Sequence, residues 1–532
     1  MSGLMNRAVR CVALLGAMAV LQAHAQDASQ FDIFEYVIEG NSVLPNEAIE
    51  RAVYPFLGES RSAEDVNRAA QALEKVYQDA GYLTVAVGIP EQAVTTGVVR
   101  LEVSEGKVER LKVTGAEYTL PSHVREQAPS LAEGEVPHFP EVQEDLGRLG
   151  RNADLRVTPL LQPGRTPGAV NVELRLEETS PLHGSVGLSN RRSADTDSGR
   201  LEASIRYDNL WQRRHSVGVS YFAVPSNRDQ IEVWGVNYAA PLGDGFLAGF
   251  FARSNSNIPT LFDTTSLGRG DVAGVRWIKP LPDRGLGFSH SFSLGLDWKD
   301  NQQDTRGIGG TDFSLSQPVK YWVLNGQYNL SVPFESGARL RVGTTLNVGA
   351  SAMNERRIDC NGFIADQFNC RRPGATPDFV VARLELEGAL PLGAGWGVTG
   401  RLDIQRSNDL LINSEQFSAG GFDSVRGYLE SERLGDEGER VRLELVTPGW
   451  SPADGYALRG RVFYDWAGLR IREAFIGQEA RASLEGTGIG LRLDAPHGFN
   501  VDADWAIALR DGASGRTGKG DNRLLVNVGY EF

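Results

Sequence analysis

The sequence predicts a membrane β-barrel of about sixteen antiparallel strands preceded by two small α+β domains. Three observations carry that expectation. Past Pro181 helical spacing disappears, and apolar and polar residues alternate along runs of roughly ten residues. Short and long connections between those runs also alternate. The chain closes on Tyr530-Glu531-Phe532, aromatic-x-aromatic at the last residue.

The elements follow in order. Arg7 and Arg10 precede an apolar run from Cys11 to Leu21, and Ala23-His24-Ala25 has the small-x-small cleavage pattern. Residues 1–25 therefore read as a Sec signal peptide; a membrane anchor would need about 20 apolar residues. No later segment has the character of a transmembrane helix. An exported chain of that kind is soluble, secreted or a barrel, and barrels hide from hydropathy because only alternate residues face lipid. The formal charge of −14 argues against nucleic acid as a partner, since polyphosphate binding needs a basic footprint.

From Phe31 the chain reads as strand, helix, strand, strand. Phe31 to Asn41 is strand-like. Val66, Ala69, Leu73, Val76, Tyr77 and Ala80 keep helical spacing, with Ser62 and Asp65 as a capping box and Gly81 beyond the last turn. Leu83, Val85 and Val87 alternate, then Val99, Leu101 and Val103. The order recurs: Val108 to Gly115 is a strand ending in glycine, helical stretches follow near Pro121 to Ala128 and Pro140 to Arg151, and two strands close the unit. This internal repeat of about 75 residues gives two domains, 31–106 and 107–179, with one larger α+β domain as the alternative.

Residues 182–532 form the barrel. In the last segment Leu524, Val526, Val528, Tyr530 and Phe532 alternate with Leu525, Asn527, Gly529 and Glu531. Val380, Ala382, Leu384 and Leu386 alternate with Val381, Arg383, Glu385 and Glu387. One face is apolar and the other carries both signs of charge. The pattern alone leaves open which face is inner. Strand length suits a tilted bilayer crossing. Short connections such as APLGDG, LPLGAG and APHGFN oppose long polar ones at Asp300–Gln317, Ser351–Thr376 and Ser407–Glu437. That is the outer-membrane pattern of short periplasmic turns and long external loops. Counting hairpins gives sixteen strands, with fourteen and eighteen the alternatives.

Cys360 and Cys370 remain after the signal peptide, in a polar loop without histidine. A local disulfide is the reading in an oxidising compartment, and a metal site is not. Cofactors are not expected. His123, His138, His183, His215, His290 and His497 are scattered without metal spacing, no G-x-S-x-G occurs, and Ser185 and Ser514 have glycines at the wrong spacing. No GxxxxGK[ST] is present, so no nucleotide is implied. An enzyme is not expected.

Two such repeats, a barrel, and Val425-Arg426-Gly427-Tyr428 in a long late loop resemble the two-partner secretion transporters. These are hemolysin and adhesin exporters of the superfamily that also contains the barrel-assembly insertases. The resemblance covers essentially the whole mature chain. It implies that the repeats are POTRA domains in the periplasm and that the barrel sits in the outer membrane. It implies that the sixth external loop, near 407–437, folds back into the lumen. Its Arg426 would then be clamped to an F-x-D motif on the inner wall, here Phe463 and Asp465. Alternation alone already puts Arg459, Arg461, Phe463 and Asp465 on one face. The motif's usual glycine is replaced by Ala467, with Gly468 following, which leaves the local backbone open to differ.

The implied partners are a large secreted exoprotein, outer-membrane lipid, and the barrel-assembly machinery reading the Tyr530/Phe532 terminus. Arg383, Glu385, Glu387, Arg442, Glu444, Arg492, Asp494, Asp502 and Asp504 would line a mixed-charge lumen. A plug helix common in the family has only Gln26–Gln30 to occupy, so gating would rest on the sixth loop. The alternative function is a barrel insertase, whose relatives carry more POTRA repeats.

Overall fold

The computed structural model describes residues 30–532 apart from 151–152, 195, 257–259, 263–264, 268, 283–286, 303, 307–313, 317, 361, 475–477 and 513–514. The predicted signal peptide, Cys11 included, lies outside the described residues, as do residues 26–29 and Ser514. The chain divides into two units, Met1–Glu178 and Thr179–Phe532.

The first unit holds two three-stranded sheets of one plan. In the first, Val98–Ser104 lies between Glu35–Glu39, which it meets in parallel, and Ala86–Gly88, which it meets antiparallel. In the second, Val170–Glu178 lies between a parallel Val108–Thr114 and an antiparallel Leu155–Pro163. Each sheet has its own helices: Asn46–Val53 and Ala63–Asp79, then Pro121–Glu126 and Phe139–Leu149. Each has its own core, around Leu73, Tyr77, Val99 and Leu101 in one and Val124, Leu131, Leu149 and Leu174 in the other. The glycines ending the first strands have the same cause. A Cβ on Gly40 would stand 2.2 Å from the Val103 carbonyl oxygen, and one on Gly115 2.2 Å from that of Leu176.

The long helix starts where its cap predicts. Ser62 accepts from the Asp65 N–H, and the Asp65 carboxylate accepts from the Ser62 N–H, satisfying two donors that the first turn leaves free. The opening strand is broken at Phe34. Phe31–Ile33 pairs with Gly58–Arg61, whereas Glu35–Glu39 pairs with Val98–Ser104, so the chain changes partner there.

The second unit is a closed antiparallel barrel of sixteen strands. They are Leu182–Ser189, Arg200–Leu210, His215–Ala223, Glu232–Leu242, Gly245–Ser254, Gly270–Leu281, Ser289–Asn301, Val319–Pro333, Arg339–Val348, Val380–Gly393, Trp396–Ser407, Glu437–Val446, Ala457–Arg470, Arg481–Asp494, Phe499–Ala508 and Asn522–Glu531. Neighbours in sequence pair, and the last returns to the first, Asn527–Glu531 against Ser185–Ser189. Closure pairs the edges that an open sheet would expose. Prolines of the short connections sit inside strand ends: Pro241 pairs with Phe246 and Pro391 with Gly397, so the turns are tighter than the sequence suggests.

Burial settles which face is inner. Trp234, Val236, Leu294, Leu324, Val462, Ile489 and Trp505 are exposed on the outside. Asp297, Lys299, Asn325, Asp403, Gln405, Asp502 and Asp504 are buried within. This is the reverse of a soluble fold and fits a barrel in hydrocarbon. Among the described residues no helix is long and apolar enough to cross a membrane.

Candidate functional site

The connection between Trp396–Ser407 and Glu437–Val446 is the sixth at its rim, and it folds into the barrel. Val425, Arg426, Gly427 and Tyr428 are all buried. Gly427 has φ +98°, a left-handed turn that most side chains resist. A Cβ there would stand 2.9 Å from the Ala508 nitrogen. The tip therefore presses against the backbone of the Phe499–Ala508 strand.

Arg426 makes the densest set of contacts. Its Nε donates to Asp465 Oδ2 at 2.7 Å and its Nη2 to Asp465 Oδ1 at 2.8 Å. Its backbone N–H donates to the same Oδ2 at 3.1 Å. Nη1 reaches Glu444 Oε1 at 2.8 Å and Asp504 Oδ2 at 3.2 Å. The guanidinium lies over the Phe463 ring, 3.4 Å from its centroid. A planar fork is suited to this: two parallel bonds to one carboxylate, a face on an aromatic ring, and a spare edge for further acceptors. Burial disfavours its charge, but Asp465, Glu444 and Asp504 outweigh that and raise its pKa above the ordinary value.

The wall compensates its own charges. Arg461 donates to Asp504 Oδ1 at 2.8 Å and to Asp502 Oδ1 at 2.9 Å, and Arg442 Nε lies 3.6 Å from Asp465 Oδ1. Such compensation is what makes buried ions tolerable. Val425 packs with Ala419, Tyr428, Ala467, Leu469, Leu484 and Ala508. The Tyr428 hydroxyl donates toward the Arg510 carbonyl at 2.8 Å and accepts from the Glu485 N–H at 3.2 Å. Arg523 Nε donates to the Gly427 carbonyl at 3.0 Å.

The rest of the loop is anchored elsewhere. Glu415 accepts from Lys299 Nζ at 2.5 Å and from the Tyr321 hydroxyl at 2.7 Å. Arg191 donates to Asp423 at 2.7 Å and lies over the Phe422 ring at 4.4 Å. Beside the loop a lumen cavity of about 280 Å³ remains, lined by Asp297, Lys299, Asn325, Arg383, Asp403 and the loop's own Gln416 and Phe417.

Phe463 and Asp465 thus stand with Arg426. The strand carrying them runs through Ala467 and Gly468 without a register shift, so loss of the usual glycine leaves the backbone regular. Ala467 instead adds its methyl to the loop's packing. Cys360 and Cys370 lie in another connection, bonded to each other with Cα atoms 5.7 Å apart. Tyr530 stacks on Phe499 and Phe532, with centroids 4.6 and 5.8 Å away. Phe532 exchanges two backbone hydrogen bonds with Gly184, both 3.0 Å, at the closing seam.

Sequence reasoning placed Glu444, Asp502 and Asp504 in the lumen but did not join Glu444 and Asp504 to Arg426. It missed the glycine stripe of Arg481–Asp494 entirely. A Cβ on Gly486 would stand 2.1 Å from the Arg426 carbonyl oxygen. One on Gly488 would stand 2.6 Å from Phe463, and one on Gly490 2.7 Å from Arg461 Nε. The signal was visible as GTGIG, glycine at successive inward positions: Gly486 leaves room for the loop tip, Gly488 and Gly490 for the Phe463 ring and the Arg461–Asp504 pair on the wall.

Comparison with known proteins agrees with this architecture. Residues 31–106 match the family model of the ShlB-type POTRA domain. Residues 367–493 match that of the haemolysin secretion/activation protein ShlB/FhaC/HecB, a segment that includes the sixth loop and Asp465. The outer membrane transporter CdiB of Dickeya dadantii is 23% identical over 411 residues, covering 74% of this chain and 68% of that protein. The CdiB of Escherichia coli is 25% identical over 450 residues, covering 79% and 69%. Among solved structures, CdiB from Escherichia coli superposes with a TM-score of 0.64 at 18% identity, covering 96% of this chain and 92% of that one. BamA from Haemophilus ducreyi lacking POTRA domains 1–3 gives 0.55 at 14%, covering 95% and 99%, a likeness of fold alone. In fold, in both matched segments and in its curated relatives, the chain is similar to the two-partner secretion transporters: a barrel of the outer membrane with periplasmic POTRA domains.

Proposed function

We propose that this chain exports one large, unfolded partner protein of hemolysin or adhesin type through its barrel. The observation that carries the reading is a lumen occupied by a loop whose tip is clamped to the wall by the buried Arg426 guanidinium, so that release of Arg426 from Asp465 is the step that frees the tip and opens the path. Arg426 is the clamp, Asp465 its anchor and Phe463 the platform beneath. The mixed charges of Arg383, Glu385, Glu387, Arg492 and Asp494 let an extended chain pass without holding it. No nucleotide is needed, because folding of the client outside supplies the drive.

Capture falls to the periplasmic domains, 31–106 and 107–179, by β-augmentation. Their edges are not equal. Leu155–Pro163 carries Pro159 and Pro163, which lack donors, and Val108–Thr114 is partly covered by Glu133, Gly134 and Glu135. Glu35–Glu39 is free of proline and pairs on one side only among the described residues. It is the edge we assign to the client. The apolar outer face contacts lipid, and the Tyr530/Phe532 terminus is what the barrel-assembly machinery reads during biogenesis.

The test is to remove the chain from its cell and compare what reaches the surface and medium. Loss of one large polypeptide, with other outer-membrane barrels unchanged, is expected. Depletion of many barrels would mean an insertase instead.

A further inference from the structure

We propose that Asp436 is an outer latch of the sixth loop, a carboxylate that ties three external connections together and holds the loop's neck shut. It rests on the reading that this loop gates the barrel, but it concerns a site apart from the Arg426 clamp.

Asp436 ends the loop, just before Glu437–Val446, and is fully buried. Five donors fill its two oxygens. Arg372 supplies both Nη1 and Nη2, the second at 2.8 Å. The Leu411 N–H and the Gln416 amide each donate to Oδ1 at 3.0 Å, and the Arg472 N–H donates to Oδ2 at 2.7 Å. Arg372 turns its remaining capacity to the Leu411 carbonyl at 2.6 Å and the Arg472 carbonyl at 3.0 Å. Leu411 lies at the entry to the loop and Asp436 at its exit, so one guanidinium–carboxylate pair joins both ends of the neck. Arg372 comes from the connection before Val380–Gly393, and Arg472 from the one after Ala457–Arg470. Burial alone would raise the pKa of Asp436, but hydrogen bonds from Arg372, Gln416, Arg472 and Leu411 hold it below the ordinary carboxylate value.

Arg372 is presented by a stiffened segment. It follows the helix Gln367–Arg371, which contains Cys370 and is tied back through Cys360. The same helix is pinned to the barrel wall. Val319–Pro333 outruns its neighbour Arg339–Val348, with which it pairs only from Leu324 onward. Along that overhang the Gln367 amide bonds the Lys320 N–H at 2.9 Å and its carbonyl at 2.8 Å. Asn354 does the same for Trp322 at 2.7 and 2.9 Å. Two side-chain amides thus replace a missing strand. The disulfide and these amides are positioning elements; they act on the gate only through Arg372.

Asp436→Asn keeps the shape but removes the charge, leaving Arg372 buried without its counterion and turning two donors toward donors. The experiment reads potassium chloride conductance of the purified full chain in planar lipid bilayers, with no client present. Asp436→Asn is expected to spend severalfold more time open than the wild type. Arg372→Gln should behave alike, and the double variant should add little beyond either. Reducing the Cys360–Cys370 bond should raise the conductance of the wild type and leave Asp436→Asn unchanged. Should Asp436→Asn fail to assemble, Arg372→Gln carries the test, because Asp436 then keeps three donors. Unchanged conductance in barrels that still migrate as folded, heat-modifiable species overturns the latch. Since no client is present, that failure is distinct from a failure of export, which would overturn the functional reading and leave the latch standing.

Discussion

Arg426 and Asp465 meet through two parallel hydrogen bonds of 2.7 and 2.8 Å, with neither residue exposed to solvent. Breaking a buried pair on one side costs about 3–5 kcal/mol, because the charge left behind has no counterion. Arg426→Lys keeps the charge but loses the fork and the stacking on Phe463. Protease protection of the loop should fall between that of the wild type and that of Arg426→Ala. Protection equal to the wild type would show that charge alone holds the tip.

Room for the tip is as necessary as the bond. Gly486→Val puts a side chain where the Arg426 carbonyl now sits. The barrel should still form, with the loop displaced and the phenotype of Arg426→Ala. Ile489→Val, on the outer face of the same strand, should change nothing in the same protease assay.

Docking of the loop should depend on pH through Glu430. Its carboxyl is raised from 4.5 to about 7, chiefly by desolvation, with Asp423 adding to the rise and Arg191 and Arg200 opposing it. The docked state therefore holds a proton that a solvated loop releases. Docking is favoured at low pH and weakens as pH rises from about 4.5 through about 7. Protection of the loop should decline across that range in the wild type and stay flat in Glu430→Gln.

The outer face can be tested by charge. Ile489→Arg places a cation on the exposed apolar stripe, at a cost of about 2–4 kcal/mol near the bilayer midplane. Folded barrel in outer-membrane fractions should drop sharply. Arg492→Ala, three residues on and turned inward toward Asp494 and Asp502, should leave it unchanged.

How far the sequence was legible follows from which forces are local. Period-two alternation is a property of one strand, so Phe463 and Asp465 share a face with Arg459 and Arg461 on sequence alone, whereas which face is inner took the burial of the whole barrel to decide. The capping box at Ser62 and Asp65 is equally local. The convergence of Glu444, Asp465 and Asp504 on one arginine depends on three strands and their registers, and no single segment carries that information. Asp436 was silent for the same reason: its donors come from Arg372, Leu411, Gln416 and Arg472, scattered over three connections. Gly486, Gly488 and Gly490 read as a weak strand until the loop tip and the wall side chains Phe463, Arg461 and Asp504 that fill their space are in place.

Export by Arg426→Ala is the most direct measurement, with barrel levels in the outer membrane matched to the wild type. Loss of the secreted polypeptide while the barrel remains assembled is the expected result. Secretion at the wild-type rate would contradict the clamp and the gating role built on it.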